Sequence, residues 1–340
     1  PQPGLKVYFD PLLPVGSGTP WLNKDRYREI SKLELWFDGE EAWAVLQEPA
    51  GGGEMALKLP GKLVSDINGE VRQLDIQGMV SYTLLTSDLL SSLPDGLLTV
   101  KGDLAVPISP VEMSEFYLQK ESLDQERLVD AFFVDRSLVR KIQEKTGAVI
   151  YTDGAKGLRI KEAVEFSDPV QEHSFTSLSY LSALSTVSKH ICSYGGWPEE
   201  LRLQRLVRNS TGKERRPLYR AYWEYYRDGY PLVGPNQAVF SVFSSSGLVE
   251  YRRLIHVFQS PAEKSYQVAP YDKAIEASVE IYNERYEQAE HLTLEAIDLA
   301  YAESGLSYQP VAVPAWAIQL NGERIILQAG DLSPLGGDGR

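Results

Sequence analysis

Glu200–Val207 (ELRLQRLV) and Leu218–Tyr226 (LYRAYWEYY) alternate apolar or aromatic residues with polar and charged ones at a period of two. That period sends one set of side chains to each face of a sheet and predicts two half-buried strands. Upstream, Ser174–Tyr194 has helical spacing, with Leu178, Leu181, Leu184 and Val187 on one face. Gly195-Gly196 supplies its stop. Downstream, Val239–Phe243 and Val249–Phe258 are further strands. The same order then returns. Tyr271–Gln288 is a helix carrying Ala274, Ile275, Val279 and Tyr282, and His291–Tyr301 (HLTLEAIDLAY) follows as a strand. Val311–Leu320 and Arg324–Gln328 flank Asn321-Gly322, a type I′ hairpin signal. A helix buries one stripe against one sheet face. The expected fold is therefore α+β and multi-domain, with a helix-on-antiparallel-meander unit used twice in the C-terminal part.

Residues 1–110 form the first expected domain, strand-rich α+β. Lys32–Phe37, Ala42–Gln47, Glu54–Leu59, Val71–Ile76 and Gly96–Val100 read as strands, with a hairpin at Asp38-Gly39, and Ser81–Leu93 as a helix. Residues 111–262 form the middle domain. Ser122–Gln125 has the form of a capping box, opening a short helix that ends near Phe133. Asp135–Glu144 reads as a second short helix. Val149–Thr152 and Leu158–Ile160 make a hairpin around Asp153-Gly154. Residues 263–330 carry the last helix and sheet, and residues 331–340 a flexible tail. Trp197, Trp223 and Trp316 are expected to anchor the sheets or their helices.

The chain has 340 residues, enough for two or three domains. Lys plus Arg total 34 against 47 Asp plus Glu, a net charge of −13. That balance argues against nucleic-acid and anionic-lipid partners. One cysteine, Cys192, excludes an internal disulfide framework, and four scattered histidines offer no metal cluster. No apolar run is long enough to span a membrane. No cofactor is expected. Glu199-Glu200 and Glu40-Glu41 are adjacent carboxylates, which point to opposite faces of a strand and do not converge. His190 and Cys192 stand two apart on a helix and face apart, so Cys192 reads as a small buried hydrophobe. The glycine-rich stretch at Gly51-Gly52-Gly53 lacks the ending of a phosphate loop, and Ser244–Gly247 lacks a nucleophile elbow. The sequence predicts no enzyme.

The remaining signal is aromatic and basic. Of 19 tyrosines, Tyr219, Tyr222, Tyr225, Tyr226 and Tyr230 cluster around Trp223, beside a basic stretch containing Arg202, Arg205 and Arg208. Strand alternation accounts for half of the rings, and a solvated hairpin accounts for the charges. Tyrosine is also favoured at interfaces. Tyr222, Tyr226, Tyr230, Arg205 and Arg208 are the candidate partner contacts.

Leu128–Arg140 (LVDAFFVDRSLVR), Val149–Leu158 (VIYTDGAKGL) and Glu165–Pro169 (EFSDP) together resemble a pattern of YycH-type extracytoplasmic regulators. Tyr225–Gly234 (YYRDGYPLVG), Gly247–Tyr251 (GLVEY) and Val313–Gln319 (VPAWAIQ) are similar to repeated units shared by YycH and YycI proteins. The resemblance spans about residues 110–330 and rests on hairpin and packing motifs. It implies a regulator held to the outer face of the cell membrane by one N-terminal helix outside this chain, which suits a start at Pro1. It implies two partners, a WalK/YycG-like sensor histidine kinase that controls cell-wall metabolism and a YycI-like sister regulator. It supplies no catalytic residues. Helix-on-meander units also resemble PepSY-like domains, which leaves a ligand-binding or protease-inhibitor-like envelope module as the alternative. An enzyme acting on cell-wall polymer, using carboxylates such as Asp153 or Glu199, is the third reading.

Overall fold

Alternation at a period of two runs through most of the chain, and strands follow from it. A computed structural model describes residues 2–14, 29–38, 41–47, 54–59, 61, 80–86, 97–102, 104–173, 176–178, 180–211, 216–234, 238–286, 291–306 and 309–335. The first strands are β1 (Gln2–Pro14), β2 (Glu29–Asp38), β3 (Glu41–Gln47), β4 (Glu54–Lys58), β5 (Tyr82–Leu84), β6 (Leu98–Val100), β7 (Ala105–Pro107) and β8 (Glu112–Lys120). Helix α1 (Gln125–Phe132) precedes β9 (Arg140–Gln143), β10 (Val149–Thr152), β11 (Gly157–Ile160) and β12 (Val164–Ser167). Helix α2 (Tyr180–Ser193) precedes β13 (Leu201–Thr211), β14 (Arg216–Arg227), β15 (Tyr230–Val233), β16 (Val239–Phe243), β17 (Leu248–Arg253) and β18 (His256–Gln267). Helix α3 (Tyr271–Arg285) precedes β19 (Leu292–Leu306), β20 (Gln309–Leu320) and β21 (Glu323–Gln328).

Strands β1 to β4 make one antiparallel sheet in chain order, and β5 pairs with β7. Fifteen strands make a single large sheet. Its main path is β18-β8-β20-β19-β15-β14-β16-β17-β12-β11-β10-β9, with β13 on β14, β21 on β20 and β6 on β19. The β15–β19 and β6–β19 pairs are parallel, and the other pairs are antiparallel.

The expected α+β class with a duplicated helix-on-meander unit is corrected by this topology. The chain is mostly β, and the two meanders are parts of one sheet. Tyr230–Val233 joins them by pairing with β14 on one edge and with β19 on the other. Strand β8 inserts between β18 and β20. Alternation fixes which face a strand buries but carries no information on its neighbour. A four-residue run after the Asp228-Gly229 turn was therefore enough to fuse two apparent units. The sheet draws β6 from residues 1–110, β8 to β17 from residues 111–262, and β19 to β21 from residues 263–330.

Several local readings also change. In the expected helix Ser81–Leu93, Tyr82–Leu84 is β5, while residues 87–93 lie outside the described residues, as does Val71–Ile76. In Asp135–Glu144, a single 3-10 turn (Arg136–Leu138) is capped by Asp135 and gives way to β9, which finds a partner in β10. The cap of α1 is Asp124, whose carboxylate accepts from the amides of Glu126 (2.9 Å) and Arg127 (3.3 Å), not the Ser122–Gln125 box. Val249–Phe258 breaks at Leu254-Ile255 into β17 and β18. The hairpins at Asp153-Gly154 and Asn321-Gly322 form as expected, with positive φ at Gly154, Asn321 and Gly322.

One face of β14 is inward: Tyr219, Ala221, Trp223 and Tyr225 are all buried. Helix α2 contributes Ala183, Val187 and Ile191 to the same core. His190 belongs to this layer. Its ring meets Phe243 edge-on at 5.7 Å, and its Nδ1 is buried with no hydrogen-bond partner. Burial pushes its pKa down from 6.5 to about 4. The folded state thus favours neutral imidazole, while the unfolded chain takes up a proton near pH 6.5. Stability is expected to be flat above pH 6.5 and to fall as pH drops toward 4, by a total on the order of 3 kcal/mol. Urea midpoints measured from pH 7.5 to 4 check this. His190→Gln should remove that part of the slope, and an unchanged slope would rule out the buried neutral ring.

Candidate interaction surface

The other face of β14 carries Arg220, Tyr222 and Tyr226, which are half-buried, and Glu224, which is buried although it points away from the aromatic core set. Its partner β13 has a register shift between Leu203 and Arg205. Gln204 is the extra residue of that bulge. Arg202 and Arg205 stand three apart, so on a regular strand they would face opposite ways. The bulge turns both to the outer face. There the guanidinium of Arg205 lies 4.6 Å from the ring centroid of Tyr222, and that of Arg202 lies 5.0 Å from Tyr226. Each such contact is worth about 0.5–1 kcal/mol when exposed. Phe240 of β16 extends the patch, with its ring centroid 5.1 Å from Tyr222.

The five candidate residues therefore separate. Arg205 and Tyr222 are brought into direct contact. Arg208 pairs in register with Tyr219, whose side chain is buried on the other face of β14. Tyr226 and Tyr230 line a neighbouring cleft of about 260 Å³, together with Tyr82, Gln204, Asp298 and Arg324. Tyr230 meets Tyr301 edge-on at 6.4 Å. Burial raises the Tyr82 hydroxyl well above its ordinary pKa, and a hydrogen bond with Tyr230 adds to the shift. Arg202 and Phe240 are members of the patch that the sequence did not single out. The bulge that turns Arg202 outward has no clear sequence mark, and Phe240 joins through the β14–β16 pairing, which no local pattern discloses.

The chemical candidates take ordinary structural roles. Glu200 accepts from the Tyr225 hydroxyl at 2.9 Å, while Glu199 is exposed in the preceding turn. Asp153 closes the β10–β11 turn by accepting from the amides of Ala155 and Lys156, and these bonds hold its carboxyl below its usual pKa. Cys192 is exposed, against the expectation of a buried hydrophobe, because α2 turns that position away from the core holding Val187 and Ile191. Among the described residues, no group of three or more His, Cys, Asp or Glu side chains is placed to hold a metal ion. No described helix is long and apolar enough to cross a membrane.

No protein-family model matches the chain, and no curated protein matches it. Solved structures do. YycH from Bacillus subtilis superposes with a TM-score of 0.60 at 16% identity, covering 94% of this chain and 74% of that one. An uncharacterized protein from Eubacterium rectale superposes with a TM-score of 0.52 at 10% identity, covering 81% of this chain and 99% of that one. The chain thus has a YycH-like fold.

Proposed function

We propose that this chain is the extracytoplasmic part of a non-enzymatic regulator that modulates a sensor histidine kinase through protein–protein contacts. The observation that carries the reading is the likeness of fold to YycH over 94% of the chain. It coincides with the hairpin motifs at residues 128–169 and 225–251, which pointed to the same family. The Arg–Tyr patch supports a contact role, because arginine and tyrosine are enriched at interfaces. In this reading the full protein is tethered to the outer membrane face by an N-terminal helix. It acts with a YycI-like sister regulator on a kinase controlling cell-wall metabolism. The PepSY-type alternative rested on a duplicated helix-on-meander unit, and the continuous sheet removes that support.

The test is to express the full-length gene product, crosslink it in membranes and identify the captured proteins by mass spectrometry. Capture of a sensor kinase or a sister regulator is the expected result. Recovery from the cytosol, or crosslinking to soluble metabolic proteins alone, would overturn the reading.

A further inference from the structure

The Arg205–Tyr222 contact is one end of a longer feature. In register, Arg205 faces Tyr222, and Tyr222 faces Phe240, on β13, β14 and β16. The same row continues through Arg252 of β17, Glu165 of β12 and Arg159 of β11. It ends on Ile150 and Ile142, on β10 and the edge strand β9. Eight neighbouring strands at about 4.8 Å spacing make a row about 33 Å long. All of its members lie on the face opposite the core, and none is buried.

The row has three parts of different chemistry. Its middle is internally paired: Glu165 sits 3.0 Å from Arg159 and 3.7 Å from Arg252. Its β9 end is apolar, with Ile142 49% exposed. Its β13 end is cationic and aromatic, with Arg205 exposed over the Tyr222 ring. A guanidinium stacked by its face on a ring keeps its N–H edge available, and that edge matches a carboxylate. On this face Arg159, Arg202, Arg205, Arg220 and Arg252 stand against Glu144, Glu165, Glu224 and Glu250. Glu144 and Glu165 are taken up by Arg159 and Arg252, so the excess of arginine lies at the β13 end, although the whole chain carries −13.

We propose that this row is a docking surface for a protein partner whose facing surface carries carboxylates beside apolar side chains. The proposal rests on the regulator reading above and specifies the side of the molecule that makes the contact. Charge complementarity selects the acidic partner. A second copy docked face to face would set the same arginines against one another. An anionic polymer would leave Ile142 and Phe240 without contacts.

The experiment uses the full-length protein in membranes containing the sensor kinase and the sister regulator. A photo-crosslinking amino acid replaces Tyr222, and in a control it replaces Glu280, an exposed residue of α3. The expected result is a crosslink to the kinase or the sister regulator from position 222 and none from position 280. Arg202→Glu combined with Arg205→Glu should weaken that capture by about tenfold or more, with the thermal midpoint lowered by only a few degrees through the two lost ring contacts. Capture only from position 280, or capture that survives charge reversal, overturns the docking surface and leaves the regulator reading standing. Charge-sensitive retention on anionic wall fragments, with partner capture intact, also overturns it and assigns the face to a polymer. If the unmodified protein captures neither partner, both proposals fall.

Discussion

Arg253→Ala is expected to destabilise the protein by about 3–5 kcal/mol, the range for breaking a buried ion pair. Arg253 is 2% exposed, and all five of its guanidinium N–H groups have an acceptor. Nε and Nη2 each donate to one oxygen of Glu121 at 2.7 Å. Nη2 also donates to the Gly195 carbonyl at 3.3 Å, and Nη1 to the Gly196 carbonyl at 2.9 Å and the Tyr251 hydroxyl at 3.4 Å. The side chain thus ties the end of β17 to the end of β8 and to the chain leaving α2. Truncation would leave a largely buried carboxylate and two carbonyls without their donor. Arg253→Lys should recover little, because an ammonium lacks the planar fork. The double variant Arg253→Met/Glu121→Leu should cost less than Arg253→Ala alone, since it removes both charges. Gly195→Ala attacks the same joint from the other side. Its Cβ would stand 2.9 Å from Cζ and Nε of Arg253, at a φ of +120°. Urea unfolding of the four variants checks the set. A loss below about 1 kcal/mol for Arg253→Ala would mean the pair is not formed.

That joint also marks the limit of what the residues disclosed. Arg252 and Arg253 read alike in a strand of alternating pattern, yet one faces solvent and the other is sealed in the core. The acceptor that makes burial possible is Glu121, 132 residues earlier. Local chemistry was legible where it is local. Asn321-Gly322 and Asp153-Gly154 demand left-handed backbone, so their hairpins could be read directly. The alternation of Leu218–Tyr226 divides the rings between two faces, and the structure buries Tyr219, Trp223 and Tyr225 on one of them. Partnerships between distant strands had no such mark. Tyr230–Val233 is not among the strands expected from the sequence, and nothing in it points to Tyr301 and Ala302 as parallel neighbours. The candidate surface was legible to the same degree. Residue type picked out Arg205 and Tyr222, while the single bulge residue Gln204 decided that Arg202 joins them. Arg208, without a bulge of its own, goes to the opposite face.

Trp316→Ala is expected to lower stability by about 3–5 kcal/mol, the range for truncating a buried large aromatic. The residue is 1% exposed on β20, between Leu299 of β19 and Leu327 of β21 in register. Its indole N–H donates to the Ala269 carbonyl at 3.1 Å, just before α3 begins. Truncation therefore opens a cavity at the centre of three strands and also removes that carbonyl's donor, a further cost of about 1 kcal/mol. Trp316→Phe keeps most of the apolar volume and should cost less than half as much. The three tryptophans expected to be anchors are not equivalent. Trp223 is fully buried, but Trp197 is 40% exposed and only closes a turn through a 2.8 Å bond to the Leu201 carbonyl. It follows the α2 stop at Gly195-Gly196, where the chain runs along the surface before β13. Trp197→Ala should therefore cost about 2 kcal/mol, the worth of one hydrogen bond plus partial burial. Thermal midpoints of Trp197→Ala and Trp316→Ala, taken side by side, test the placement of β20 within the sheet independently of any partner. Equal shifts would mean that Trp316 is not where the β19–β20–β21 register puts it.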